Sequence, residues 1–261
     1  MNQVAQQTPL VVVGGWGVDA AMLLPLFDGW PGEIHLVSLT DTIMTRCESV
    51  SEVASYLLDH YPCRSVWAGW SQGAQVAMAA ASQSSFNGAL NTTLQVSRVI
   101  TFAGFPRFVA APDWPVGMAA DTFDTFKAGV VNEAGQTWRR FQQLLIHGCD
   151  DPLQARQELR PWMNRGAAVG QANLVRGLDW LETEDQTALW QSLRVPALHL
   201  QAGQDAVVCS WSDTLVPAET SEVLTVPGMT HWPRGPSAMQ CREAIQRFVF
   251  GRGTHGCCNN A

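Results

Sequence analysis

The sequence has no run of eighteen apolar residues, so no membrane-spanning helix is expected. Its first residues, Met-Asn-Gln-Val-Ala-Gln-Gln, lack the basic stretch and apolar core of a secretory signal, and a cytoplasmic location is the expectation. There is no C-x-x-C. The cysteines number seven, an odd count without regular spacing, which argues for reduced thiols and against a disulfide framework. Cys257 and Cys258 beside His255 lack the spacing of metal ligands, and neither a metal nor a cofactor is expected. Positive charge is scarce: 16 Lys and Arg stand against 23 Asp and Glu, a net charge of −7, which excludes a nucleic-acid binder unless one face is locally basic. Internal repeats are missing too. What is present is globular in composition, 46% apolar and 15% charged over 261 residues, enough for a sizeable core in one α/β domain or in a domain with a large insertion.

Short apolar runs recur along the chain. Leu10–Val13, Ile34–Ser38, Ser65–Ala68, Val99–Ala103, Val195–Gln201 and Glu222–Val226 read as strands. The fully apolar ones suit a parallel sheet buried on both faces. Between them lie helical patterns. Asp19 is placed to cap a helix reaching about Phe27. Ser49 or Ser51 opens another, with Val50, Val53, Ala54, Leu57 and Leu58 on one face and Pro62 after its end. From residue 105 to 180 the texture changes. No buried strand is evident, and four helices are predicted at 122–132, 137–147, 151–164 and 172–179. The expected organisation is a core of residues 1–104 and 181–250, a helical insertion of residues 105–180 capping it, and a mobile tail at 251–261.

Gly69-Trp70-Ser71-Gln72-Gly73 lies where a predicted strand meets a predicted helix. In that context G-x-S-x-G forms a sharp turn that exposes the serine at the carboxyl end of the sheet, with glycines where side chains would clash. A serine hydroxyl becomes a nucleophile only when a neutral imidazole takes its proton, and a carboxylate holds that imidazole in one tautomer. Asp205 and His231 each follow a predicted strand, in the order Ser, Asp, His. Of the other histidines, His35 and His199 fall inside strands, His60 ends a helix, His147 is in the insertion and His255 is in the tail. Asp179 and Asp185 are alternative acids, but neither follows a strand. The amide of Gln72 and that of Trp16, in the Gly14-Gly15-Trp16-Gly17 loop after the first strand, are the candidate oxyanion donors.

Gly-Trp-Ser-Gln-Gly, Gly-Gln-Asp-Ala-Val-Val and Gly-Met-Thr-His-Trp-Pro resemble the nucleophile, acid and histidine loops of α/β-hydrolases, over about residues 9 to 250. Within that superfamily the chain is most similar to the pimeloyl-acyl carrier protein methyl ester esterases of biotin synthesis. Gly15-Trp16-Gly17, Asp113-Trp114-Pro115, Arg140-Phe141, and Gly177-Leu178 with Leu181 and Thr183 carry the likeness. The resemblance implies an α/β-hydrolase fold, a mostly parallel central sheet flanked by helices with an inserted helical cap. It also implies a serine esterase acting without a metal, on an acyl carrier protein bearing the ester and on small esters. The chain departs from the family pattern at Gly14, where a histidine is usual, at Ser38–Thr42, where a glycine-rich loop is usual, and at Ala74, often a second glycine.

Charge points the same way. Between Ala134 and Leu178 six arginines face three acids, a balance of +3, which leaves −10 for the rest of a chain whose total is −7. Arg139, Arg140, Arg156 and Arg160 are the candidate contacts to an acidic carrier protein, and a solvated helix face is the alternative reading of them. The acyl chain needs apolar walls. Trp16, Phe141 and Trp232 are the principal candidates; Trp70, Phe105, Phe108, Trp114, Phe123 and Phe126 are others, and for any one alone core packing is the commoner role. A monomer is expected. The rival readings are a broad short-chain carboxylesterase, a carbon–carbon bond hydrolase of diketone acids, and a ligand-binding protein that kept the fold and lost catalysis.

Overall fold

The computed structural model describes residues 8–86 and 95–251. The segment 252–261, which holds most of the expected tail, lies outside the described residues. Six strands form one parallel sheet: β1 (Leu10–Val13), β2 (Ile34–Val37), β3 (Ser65–Trp70), β4 (Val96–Phe102), β5 (Ala197–Ala202) and β6 (Ser221–Val226), in the order β2-β1-β3-β4-β5-β6. Every residue of β1, β3 and β5 is buried, including the polar Ser65, His199 and Gln201, whereas the edge strands β2 and β6 are partly exposed. The chain leaves β1 toward β2 at one edge and leaves β3 toward β4 on the other side. The crevice at the carboxyl ends of β1 and β3 is therefore the switch point of the sheet, the place where open α/β sheets bind their ligands.

Helices α1 (Asp41–Arg46), α2 (Val50–His60), α3 (Gln72–Phe86), α7 (Thr187–Ser192) and α8 (Gly235–Phe250), with a 3-10 helix at Ala20–Phe27, surround the sheet. Asp19 caps the 3-10 helix by accepting the Ala21 amide, and Ser49 caps α2 by accepting the Glu52 amide. The first of these segments is a 3-10 helix rather than an α-helix, with Pro25 inside it. Two short helices, α1 and α7, have no counterpart in the predicted pattern; each is only six residues long, too short to show a helical period.

Between β4 and β5 run α4 (Ala120–Leu144), α5 (Pro152–Arg165) and α6 (Gln171–Thr183). The two helices expected here meet within the span of α4 at a kink at Glu133, whose φ of −139° and ψ of 49° are non-helical. The break falls just before Ala134-Gly135, so the gap in the hydrophobic pattern marks a bend, not a loop. Asp151 caps α5 through the Gln154 amide, and Pro152 sits at its first turn. Among the described residues no helix is long and apolar enough to cross a membrane.

Candidate active site

Ser71 stands between β3 and α3 with φ at 54°, a region that side-chain-bearing residues rarely occupy. Two glycines permit it. A Cβ on Gly69 would collide with the backbone of Gly73 and Ala74, and one on Gly73 with the carbonyls of Val13 and Gly14. The Ser71 amide donates to the Phe102 carbonyl at 2.9 Å, which fastens the turn to the end of β4.

Asp205 follows β5 and His231 follows β6, and the sheet brings them together. Nδ1 of His231 lies 2.9 Å from Oδ2 and 3.1 Å from Oδ1 of Asp205. The carboxylate is itself fixed, because Oδ1 accepts the amides of Val207 and Val208 at 2.8 and 2.9 Å. The imidazole is fully buried, and its backbone carbonyl accepts the Trp70 indole N–H at 2.7 Å, which ties the histidine loop to the residue before Ser71. With Nδ1 facing the carboxylate, Nε2 is the atom left to take a proton. It is buried and has no hydrogen-bond partner among the described residues. The bond from Ser71 to Nε2 is thus not formed in this structure; such contacts commonly tighten only around substrate.

The loop Gly14–Gly17 lies against the serine, and a Cβ on Gly15 would sit 3.1 Å from that of Ser71. The Trp16 and Gln72 amides donate to none of the backbone carbonyls in the described loops and turns, and Gln72 opens α3, where helix geometry leaves amides unpaired. Their side chains face elsewhere. Trp16 Nε1 donates to the Leu174 carbonyl and Gln72 Nε2 to the Gly177 carbonyl, both at 2.8 Å, and the Ala168 amide donates to the Gly17 carbonyl at 2.8 Å. Helix α6 and its approach are therefore stitched onto the loops that flank Ser71. The approach is close: Gly177 leaves room for the Trp16 indole, which a Cβ there would meet at 2.7 Å.

A cavity of about 100 Å3 opens from Ser71. Trp16, Phe108, Phe126 and Phe141 line one part of it, and Leu144, Leu178, Leu181 and Val207 another; Met118 and the exposed Thr122 complete it. Among the described residues no charged side chain lines the cavity. The aromatic residues anticipated as walls divide here. Trp70, Phe105, Trp114 and Phe123 are core, and Trp232 does not line the cavity but turns its indole N–H toward the Met22 carbonyl at 3.2 Å. The aliphatic walls were missed as a set; only Leu178 and Leu181 stood out beforehand, within the stretches that carry the family likeness. Arg139, Arg140, Arg156 and Arg160 are all exposed, and none forms an ion pair among the described residues.

A second buried imidazole has a different fate. His199 in β5 is stacked on Trp190, with ring centroids 4.5 Å apart, and its Nδ1 is 2.9 Å from the Thr101 hydroxyl. Burial pushes its pKa down to about 3 from the ordinary 6.5. The folded state stays neutral there while the unfolded chain takes up a proton below pH 6.5, so stability is intact above that pH and is lost as pH falls toward 3. Chemical denaturation at pH 6.5 and 5 is expected to show a loss of about 1.6 kcal/mol between the two that is absent from His199→Asn. An equal acid sensitivity in the variant would assign the loss to other groups.

A serine elbow after β3, with a carboxylate–imidazole pair on the loops after β5 and β6 of a parallel sheet, is an arrangement suited to hydrolysis. A model of the alpha/beta hydrolase family matches residues 10–240, and the chain belongs to that family. More narrowly, it is 27% identical over 253 residues to a pimeloyl-[acyl-carrier protein] methyl ester esterase of Stenotrophomonas maltophilia (strain R551-3), covering 93% of each. It is 29% identical over 250 residues to a protein of the same name from Xanthomonas oryzae pv. oryzae (strain MAFF 311018), covering 92% of this chain and 94% of the relative. Among solved structures, an esterase from Exiguobacterium antarcticum superposes with a TM-score of 0.75 over 94% of this chain and 92% of that one, at 14% identity, a likeness of fold.

Proposed function

We propose that the chain is a serine carboxylesterase that removes the methyl ester from a pimeloyl group carried on acyl carrier protein, in the cytoplasm and as a monomer. The observation that carries this reading is Ser71 in the lining of a cavity without charged residues, together with the Asp205–His231 pair, whose histidine loop is tied by the Trp70 indole to the residue before Ser71. Ser71 Oγ attacks the ester carbonyl while His231 Nε2 takes its proton. The tetrahedral oxyanion is held by the Trp16 and Gln72 amides, each such donor lowering the barrier by about 3 kcal/mol. Collapse expels methanol, which leaves with the proton from the imidazolium, and water then releases the acid by the same route in reverse. Asp205 keeps the proton on Nδ1 throughout.

The lining supports a masked acid as substrate. A free carboxylate driven into a cavity without a cation loses its hydration and gains no partner, whereas a methyl ester and a methylene chain enter without that cost. The same argument disfavours the diketone acids of carbon–carbon hydrolases. The names of the relatives supply the carrier protein, and the four exposed arginines of α4 and α5 supply a surface complementary to an acidic one. Residues 105–180 act as the cap between that surface and the cavity.

Hydrolysis of pimeloyl-carrier methyl ester, compared with p-nitrophenyl butyrate, tests the reading. Arg156→Glu with Arg160→Glu is expected to raise KM for the carrier substrate by about tenfold or more and to leave the small ester within about twofold. Equal losses on both would remove the carrier surface, and activity confined to the small ester would favour the short-chain carboxylesterase.

A further inference from the structure

The loop that carries His231 is held from two sides. The core contributes the Trp70 indole on the His231 carbonyl and the Met22 carbonyl under the Trp232 indole. The insertion contributes the other contacts. Its Leu145 carbonyl accepts the Trp232 amide at 3.0 Å, and Glu158 of α5 accepts from Arg234 Nε at 2.8 Å. Arg234 comes three residues after the histidine, and its side chain is 8% exposed against 36% for Glu158. The other oxygen of Glu158 accepts from Gln154 Nε2 at 2.9 Å, so the carboxylate is held on both sides. The pair is buried on the arginine side and half-open on the glutamate side, and it alone joins a charged side chain of α5 to the histidine loop among the described residues.

Helix α5 is otherwise thinly anchored, with only Ala155 and Leu159 buried along its fourteen residues. Glu158 lies two positions from both Arg156 and Arg160, which places it on the opposite side of the helix from them. A load on the outward arginines therefore reaches the catalytic loop through the inward glutamate. The imidazole at the far end of this connection is the one whose Nε2 has no hydrogen-bond partner among the described residues.

We propose that the Arg234–Glu158 ion pair positions His231, coupling the outer face of α5 to the general base. Arg234 is a positioning residue that touches no substrate. The inference rests on the serine-hydrolase reading of the site. Arg234→Gln and Glu158→Gln are expected to lower kcat for p-nitrophenyl butyrate, and the rate of Ser71 labelling by a fluorophosphonate, by about ten- to a hundredfold with KM within about twofold, because misplacement near the chemistry costs turnover before binding. The double variant is expected to be no worse than either single one, and Arg234→Glu with Glu158→Arg is expected to recover much of the rate. Glu158→Gln, nearly isosteric and partly exposed, keeps the test in hand should Arg234→Gln not fold. Wild-type kcat and labelling in folded Glu158→Gln, or additive losses without recovery in the swap, overturn the positioning role alone. A wild-type protein that neither labels nor hydrolyses esters overturns the hydrolase reading and this inference with it.

Discussion

Ser71→Ala is expected to lower turnover of p-nitrophenyl butyrate by roughly a million-fold while leaving the fold intact. The size follows from the loss of the attacking atom: what survives is water attack assisted by the oxyanion amides and by binding alone. Folding should be spared because the elbow depends on the backbone and the Cβ of residue 71. The φ of 54° and the 2.9 Å bond from its amide to the Phe102 carbonyl both remain in alanine. Ser71 is 7% exposed, so the hydroxyl is not a surface group whose loss passes unnoticed, yet it makes no hydrogen bond to His231 whose removal would strand a partner. Steady-state kinetics with a matched thermal melt checks both halves. A folded variant with more than about a hundredth of wild-type turnover would remove Ser71 as nucleophile and favour the reading in which the fold binds a ligand without cleaving it.

How far the sequence announced this arrangement depends on the range of the forces involved. Strands β1 and β3 were legible because a strand buried on both faces must be apolar throughout, and Gly69 and Gly73 because nothing larger fits where β3 folds back into α3. Asp205 and His231 stood out in the sequence because each lies on a loop after a predicted strand, and the structure brings their two side chains into contact. The walls of the cavity were not legible. Phe123 and Phe126 lie three apart on α4, yet one is core and the other faces the cavity, since the orientation of α4 is set by contacts with α6 that have no local signature. Trp232 was a candidate wall of the acyl site. Its indole instead finds the Met22 carbonyl, a partner 210 positions away. Arg234 and Glu158 likewise carry no mark in the sequence that would pair them, and only the placement of α5 makes them neighbours.

Asp205→Asn is expected to cost about ten-thousand-fold in kcat, although aspartate and asparagine have the same shape. The geometry of the carboxylate gives the reason. Oδ1 accepts two backbone amides, from Val207 and Val208, so in the asparagine variant the carbonyl oxygen must occupy that place. The amide nitrogen then falls where Oδ2 stood, 2.9 Å from Nδ1 of His231. It can only donate there, which forces Nδ1 to become the acceptor and moves the imidazole proton to Nε2. The nitrogen facing the serine is then a donor and cannot take the hydroxyl proton. Asp205→Ala lacks that donor and leaves the tautomer free, so it is expected to be less damaging to kcat than asparagine, despite losing more contacts. Measured kcat for the two variants decides the matter. An asparagine variant within tenfold of wild type, or an alanine variant worse than asparagine, would mean that Asp205 holds the loop through its amide contacts and does not set the protonation of the base.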